Sequence, residues 1–537
     1  MQKGITPEGD TAALIKAARG AHLKGDNVNA LNVIERVIAQ FDGAEAWDLK
    51  GDILLANGQL PAAVEAYQQA VEREADNPIY VHDLGRGLLR NSQPAEAEPV
   101  LRRAVALKPG AWDALCDLGT AQIEQGHAIN AVESFTAALA AKPEATIAHF
   151  NRGNALRDLG RFGEAETSYR VALRFTPNFL PALMSLAALL CDIGQTDEGR
   201  KLFADAKALG MDKALFDQAY TLVDLRTGNL REGFAAYESR FHPSRHALPL
   251  RPFTAPRWQG EDLAGRDILI WTEQGLGDEI ISASMFPAVI AAARSCTIEC
   301  TPRAAPLFAR SFPGAKVISR QDPPDPATQG VFDFQTPAMS LARVMRQSFS
   351  DFPAHGGYLR ADGDLTARLR QKYRAGAQGG LVVGVSWEST ARHGARKRLP
   401  LEAWWPVLST PGVTFVSLQY GVKPGDPALA AANGRLTVDA EIDALASLDA
   451  SAAQVAAMNL VITISNTTAH LAGAQGVPVW TLLPGGPGCF WYWFRNRSDS
   501  PWYPSMRIFR QPRMGDWQGA VDAVAQALVE MKPQGQL

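Results

Sequence analysis

The stretch GDILLANGQLPAAVEAY, residues 51–67, decides the fold of the first half of the chain. It opens on a small residue, Gly51, reaches a turn glycine at Gly58, passes a second small residue at Ala63 and closes on an aromatic, Tyr67. All four positions recur at a step of 34 residues. Gly85, Gly119, Gly153 and Ala187 repeat the first, and Ser92, Gly126, Gly160, Gly194 and Gly228 the second. Ala97, Ala131, Ala165, Gly199 and Gly233 repeat the third; Leu101, Phe135, Tyr169, Phe203 and Tyr237 repeat the fourth. Pro109, Pro143 and Pro177 close three of the units. A helix pair fits the pattern. Small residues let two helices approach closely, a large residue fills the gap between neighbouring units, and the turn glycine ends the first helix where a positive φ is needed. An offset first unit fits residues 11–43, with Gly25 and Ala30 near the expected places.

This period and pattern resemble the tetratricopeptide repeat. About seven units ending near Phe241 predict an all-α superhelix over residues 1–241, with a concave surface of the kind that binds protein. Asn151, Arg152, Asn154 and Arg157 lie on the first helix of one unit, either as partner contacts or as a solvated face.

A chain of 537 residues is too long for one core. With 46% apolar and 20% charged residues it reads as globular rather than disordered. A net charge of −3 gives no electrostatic case for nucleic acid as the main partner, so any anion site must be local. The five cysteines form no C-x-x-C pair. They read as buried thiols in a reducing compartment, with Cys296 and Cys300 on one strand face. The first residues lack the basic start and apolar core of a signal peptide. No apolar run approaches the roughly 18 residues a membrane span needs. A cytoplasmic location without membrane insertion is expected.

Residues 242–262, with their prolines and no helical period, read as a linker or a strapped extension. The pattern then changes to short apolar runs alternating with helical stretches. RDILIW (266–271), CTIEC (296–300) and AKVIS (315–319) are strand candidates, with EIISASMFPAVIAAARS as a helix after the first. A second series runs through LVVGVSW (381–387), TFVSLQY (414–420), LVITIS (460–465) and VPVWTLL (477–483). LEAWWPVL and AAQVAAM read as helices between them, and DWQGAVDAVAQALVEMK as a terminal helix. The alternation predicts parallel sheets with crossover helices, in two Rossmann-like lobes over residues 263–375 and 376–537.

Four segments could carry chemistry. Gln274, Gly275, Gly277, Asp278 and Glu279 sit between a strand and a helix, where open α/β sheets bind ligands. Asp278 reads as a helix cap or a poised base. Arg392, His393, Arg396, Lys397 and Arg398 form a basic run suited to phosphate or carboxylate, or a solvated loop. Ser465, Asn466, Thr467 and Thr468 end a strand and start a helix whose open N–H groups could hold a phosphate, with His470 in its first turn. The aromatic-rich stretches 490–494 and 501–504 read as packing between lobes, with Arg507 and Arg510, beside Gln511, as arginines able to supplement an anion site.

The repeat array followed by PRWQG, EQGLGD, VGVSW, VSLQYG, SNTTAHLAGAQGVPVWTLLP, PWYP and RIFRQ resembles bacterial tetratricopeptide-fused glycosyltransferases of the GT-B fold. These are distantly similar to heptosyltransferases, and the likeness is greatest to those that modify flagellin with a nonulosonic acid such as pseudaminic acid. The resemblance implies that Gln274, Gly275 and Gly277 face the acceptor, and that Asp278, with Glu279 beside it, supplies the catalytic carboxylate. It implies donor binding by Trp387, Arg392, Lys397, Arg398, Gln419, Tyr420, Ser465, Asn466, Thr467, Thr468 and His470. The donor would be a CMP-sugar, with no metal and no other cofactor. The acceptor would be a serine or threonine of a protein such as flagellin, held by the array. Heptosyltransferases carry Asp-Thr where this chain has Asn466-Thr467, which removes a charge that would repel a carboxylate-bearing sugar. The alternatives are a UDP-sugar-dependent protein O-glycosyltransferase and a non-enzymatic flagellin-binding scaffold.

Overall fold

The computed structural model describes residues 7–242, 251–324, 328, 331–377, 380–389, 399–486, 489–513 and 515–531. Among these, seven helix pairs run from Pro7–Leu23 and Asn27–Gln40 to Lys213–Thr227 and Leu230–Tyr237. Gly58, Gly126, Gly160, Gly194 and Gly228 all have positive φ, and Ser92 takes the same conformation at φ 60°. The small and large registers meet inside each unit. A methyl group on Gly51 would lie 2.5 Å from the Tyr67 ring, and one on Gly153 would lie 2.5 Å from Tyr169. The large residue therefore packs on its own unit's glycine. Tyr67 also reaches the next unit, where a methyl on Gly87 would come within 2.8 Å of it.

The chain divides into two compact units, residues 1–189 and 190–537. The division falls inside the helix Leu180–Ile193, not at residue 241 where the repeat pattern ends. The cause is apolar: Leu225, Leu230 and Phe234 of the last repeat pair belong to the core of the α/β region. Phe234 meets Trp491 edge to face at 5.5 Å.

In the second unit, β1 (Asp267–Trp271), β2 (Ser295–Cys300), β3 (Lys316–Ser319) and β4 (Phe334–Pro337) form a parallel sheet of order β3-β2-β1-β4. The second sheet comprises β5 (Leu381–Ser386), β6 (Val413–Ser417), β7 (Leu436–Thr437), β8 (Leu460–Ile464), β9 (Val479–Leu483), β10 (Asp499–Ser500) and β11 (Tyr503–Arg510). Its order is β10-β11-β9-β8-β5-β6-β7, parallel except at the β10–β11 edge. The region is thus two parallel-sheet α/β lobes. Their strands read as continuous apolar runs because helices cover both faces.

Three details differ from the sequence reading. The helix expected after β1 breaks into Leu276–Ser282, a single tight turn, and Phe286–Ala292, because Pro287 cannot donate a helical hydrogen bond. LEAWWPVL splits in the same way, into Leu401–Trp404 and Trp405–Leu408 around Pro406. The helix Gly363–Gly376, placed in the first lobe by its sequence position, is tied to the second. Tyr373 Oη donates to Asp439 at 2.7 Å, Lys372 pairs with the same carboxylate at 2.9 Å, and Arg370 donates to the Ala456 carbonyl.

The described part of the 242–262 segment is a strap. The Trp258 N–H donates to the Gln335 carbonyl and the Gln335 N–H to that of Pro256, both at 2.9 Å. Arg251 reaches the buried Glu299 at 2.6 Å. All five cysteines are free, four of them buried, including Cys296 and Cys300; Cys489 is half-buried. No helix among the described residues is long and apolar enough to cross a membrane.

Candidate functional site

A cleft of about 320 Å³ opens between the two lobes. Its first wall is the loop after β1 and the start of Leu276–Ser282; its second is the start of Thr467–Ala474, which follows β8. Both positions lie at the carboxyl ends of central parallel strands.

Gly277 sets how closely the walls approach. A methyl there would lie 3.0 Å from His470 Cδ2 across the cleft, so any side chain at this position would press on the imidazole. His470 is buried, bonds Tyr503 Oη through Nδ1 at 2.8 Å and stacks on Trp493 at 5.1 Å. Its partners make it a fixed wall.

Asp278 lies beside that contact. Its Oδ2 accepts the Gly275 N–H at 3.2 Å, which closes the helix start. Burial pushes its carboxyl up to about 6, with the charges of Glu273 and Glu279 adding to the rise and the Gly275 N–H opposing it. A carboxylate in this range is ionised at neutral pH yet holds a proton well. Gln274, just before it, adopts φ 68° without being glycine. Its side-chain amide and Tyr237 Oη bond at 2.9 Å, and Tyr237 belongs to the last repeat helix. Below, Arg240 holds Glu273 at 2.7 Å and Glu238 at 2.9 Å, nearly sealed from solvent.

Asn466 organises the opposite wall. Its Oδ1 accepts from Thr468 N at 3.0 Å, Ala469 N at 3.3 Å and Thr463 Oγ1 at 3.0 Å. Its Nδ2 donates to Ser386 Oγ at 2.8 Å and to the Glu388 carbonyl at 3.2 Å. An aspartate could cap the helix equally well, but it could not donate to that carbonyl. Two of the N–H groups expected to be open to a phosphate are therefore already used. Thr467 and Thr468 line the cleft, at the partial positive charge of the helix start.

Of the residues read from sequence, Gly275, Gly277, Asp278, Tyr420, Ser465, Asn466, Thr467, Thr468 and His470 line this one cleft. Four do not. Gln274 faces Tyr237. Glu279 is fully buried and accepts from Thr301 N and Oγ1, with Arg320 3.9 Å away, so it braces β2 rather than facing a ligand. Trp387 is a core residue of the second lobe. Gln419 accepts from Ser386 Oγ, Trp387 N and Glu388 N within 3.0 Å and so fixes the end of β5. Arg392, Lys397 and Arg398, with His393 and Arg396, lie outside the described residues.

The cleft also contains groups the sequence reading did not assign. Arg303 enters from the loop after β2 and donates to the Ala444 carbonyl at 2.7 Å. Its place just past a parallel strand was the available signal. Phe490 and Tyr492 stack at 5.1 Å with a 17° interplanar angle and form an aromatic side. Trp491, Trp493 and Trp502 from the same region are core, as the packing reading expected. Arg507 lies over the Phe509 ring at 4.5 Å and does not reach the cleft.

Comparison with known proteins places the repeats firmly. The tetratricopeptide-repeat family model matches residues 24–78, 82–128 and 116–178. The chain therefore carries tetratricopeptide repeats ahead of its two α/β lobes. A relative, Protein FlbA of Caulobacter vibrioides, is 35% identical over 338 residues, covering 59% of this chain and 55% of its own length. The chain thus spans little more than half of that relative. Among solved structures, it is similar to YrrB, a TPR protein with an unusual peptide-binding site (22% identity, 32% of this chain, 88% of that one, TM-score 0.29). It is also similar to PilW, a widely conserved type IV pilus biogenesis factor (19% identity, 37% and 92% covered, TM-score 0.36).

Proposed function

We propose that the protein is a protein O-glycosyltransferase whose interlobe cleft takes a nucleotide-sugar. The observation that carries the reading is Asp278, raised to about 6 by burial, in one cleft with the helix start at Thr467 and the cation Arg303. In this reading an acceptor hydroxyl attacks the anomeric carbon from the Asp278 side with inversion, and Asp278 takes the hydroxyl proton. The bond from sugar to phosphate breaks, and the nucleotide leaves with its electron pair. The Thr467 N–H, the threonine hydroxyls, the helix dipole and Arg303 meet the charge that develops on the phosphate, without a metal. Phe490 and Tyr492 offer a stacking face for a base or sugar. The likeness of the motif series favours a CMP-linked nonulosonic acid as donor and flagellin as acceptor. The repeats, which bind protein in other proteins of this kind, would hold the acceptor.

Thermal unfolding of the full chain with CMP, UDP, GDP and ADP tests the reading, since a ligand bound only by the folded state raises its stability. Selective stabilisation by CMP is expected. Preference for UDP would move the donor to a hexosamine class, and no response to any of the four would remove the nucleotide-sugar reading.

A further inference from the structure

A second cavity, of about 200 Å³, lies on the far side of Phe490, which borders both it and the cleft. The end of the helix Leu180–Ile193 and the helix Lys213–Thr227 supply Cys191, Asp192, Arg226 and Thr227. The second lobe supplies Arg495, Arg510 and Gln511. Three guanidinium groups thus face one carboxylate, and Asp192 is already engaged by Arg226. Arg510 gives its donors to the carbonyls of Arg497, Trp493 and Phe494, and Arg495 donates to the Cys191 carbonyl. Carbonyl partners hold these groups in place without cancelling their charge, and the cavity keeps a positive field.

Gln511 makes the cavity directional. It is only 6% exposed. Its Oε1 accepts the N–H groups of Gly485 and Gly515, each at 3.1 Å, which fixes which end of the amide is oxygen. The NH2 end is left for the cavity that Gln511 lines, and it meets no acceptor among the described residues. A donor on a buried side chain, its rotamer fixed, beside guanidinium charge held only by carbonyls, is complementary to an oxyanion.

We infer that this cavity is a binding site for a small oxyanion, a carboxylate or phosphate group, separate from the interlobe cleft. The anion accepts from Gln511 Nε2 and sits in the field of Arg495 and Arg510. The inference concerns binding and stands apart from whether the cleft transfers a sugar.

Cys489 provides a local readout, because it lines the cavity and is the one cysteine of the five that is not buried. The rate of Cys489 labelling in the full-length protein by a thiol reagent is measured with glucuronate, inorganic phosphate and glucose. Glucuronate or phosphate should slow labelling, and glucose should not. Protection by glucuronate alone assigns the site to sugar acids, and protection by phosphate as well assigns it to oxyanions generally. Gln511→Glu keeps both backbone contacts but replaces the donors with a negative charge, so it should weaken protection by roughly tenfold or more. Equal effects of glucuronate, phosphate and glucose would overturn the inference, as would undiminished protection in Gln511→Glu.

Discussion

The repeat pairs of the first unit and the loop region of the second bury different things. Between Gly51 and Tyr169 the contacts are glycine or alanine against one large apolar or aromatic residue, unit after unit. Beneath the loop at 273–279 the buried groups are charged: Glu238, Arg240, Glu273, Glu279, and Asp278 at the surface of the cleft. Repeated apolar contacts stabilise with no chemical consequence beyond packing. Buried charges cost stability unless paired; among the described residues the repeats of the first unit carry one small group of them, Asp48 and Asp83, whereas those around the loop at 273–279 lie beside a cleft.

The largest expected effect separates these two kinds of burial. Arg240→Met leaves Glu273 buried without its partner and should destabilise the second unit by about 3–5 kcal/mol in denaturant unfolding. The exposed pair Arg161–Glu164 is the control from the array, and Arg161→Ala should leave the midpoint unchanged. An equal response at both sites would erase the contrast.

Next in size, Gly153→Ala forces a methyl against the sealed Tyr169 ring and should cost about 1–3 kcal/mol. Gly163→Ala, where nothing lies within 4 Å, should have no such cost. The pair tests whether tight contact, rather than helix propensity, sets the cost of a side chain at these glycines.

Asp278→Asn should act in the opposite direction. The folded-state value of about 6 lies above the ordinary 3.8, so the folded state binds the proton more tightly than the unfolded chain. The charged form therefore destabilises the fold, with a penalty that is absent below 3.8, grows between 3.8 and 6, and is complete above 6. The variant should be more stable than wild type at pH 7.5 by on the order of 1–3 kcal/mol, with the gain vanishing near pH 4. A variant stabilised equally at both pH values would show that charge is not the cause. The smallest effect belongs to Asn466→Asp, which keeps the helix cap but loses the donations to Ser386 and Glu388; about 1–2 kcal/mol is expected from thermal unfolding.

The array was legible because its constraint is periodic: a small residue facing a large one every 34 residues leaves a mark in any single sequence. The lobes were legible as alternating apolar runs, and the loops that line the cleft were found because they follow those runs. The edges were harder. Residue 241 ends the repeat pattern, but Leu225, Leu230 and Phe234 join the neighbouring core, and a 34-residue period carries no information about which core a side chain enters. Glu279 and Gln419 were read as ligand-facing because they adjoin residues that line the cleft, Asp278 and Tyr420. Their side chains point to Thr301 and to the end of β5, a matter of one helical position or one strand face. Arg303 and Phe490 come from loops far apart in sequence, and only the packing of the two lobes brings them to Asp278.

The central claim is that this cleft transfers a sugar to a protein with Asp278 as the base. Intact mass measurement of flagellin after incubation with the full-length protein and a CMP-linked nonulosonic acid addresses it directly. The account predicts mass additions of one sugar each with wild type at pH 7.5, a rate that rises with pH through about 6, and loss of nearly all addition with Asp278→Asn, which remains folded. Addition at the wild-type rate by Asp278→Asn would contradict the assignment of the base, and no addition by wild type, with CMP not bound, would contradict the account itself.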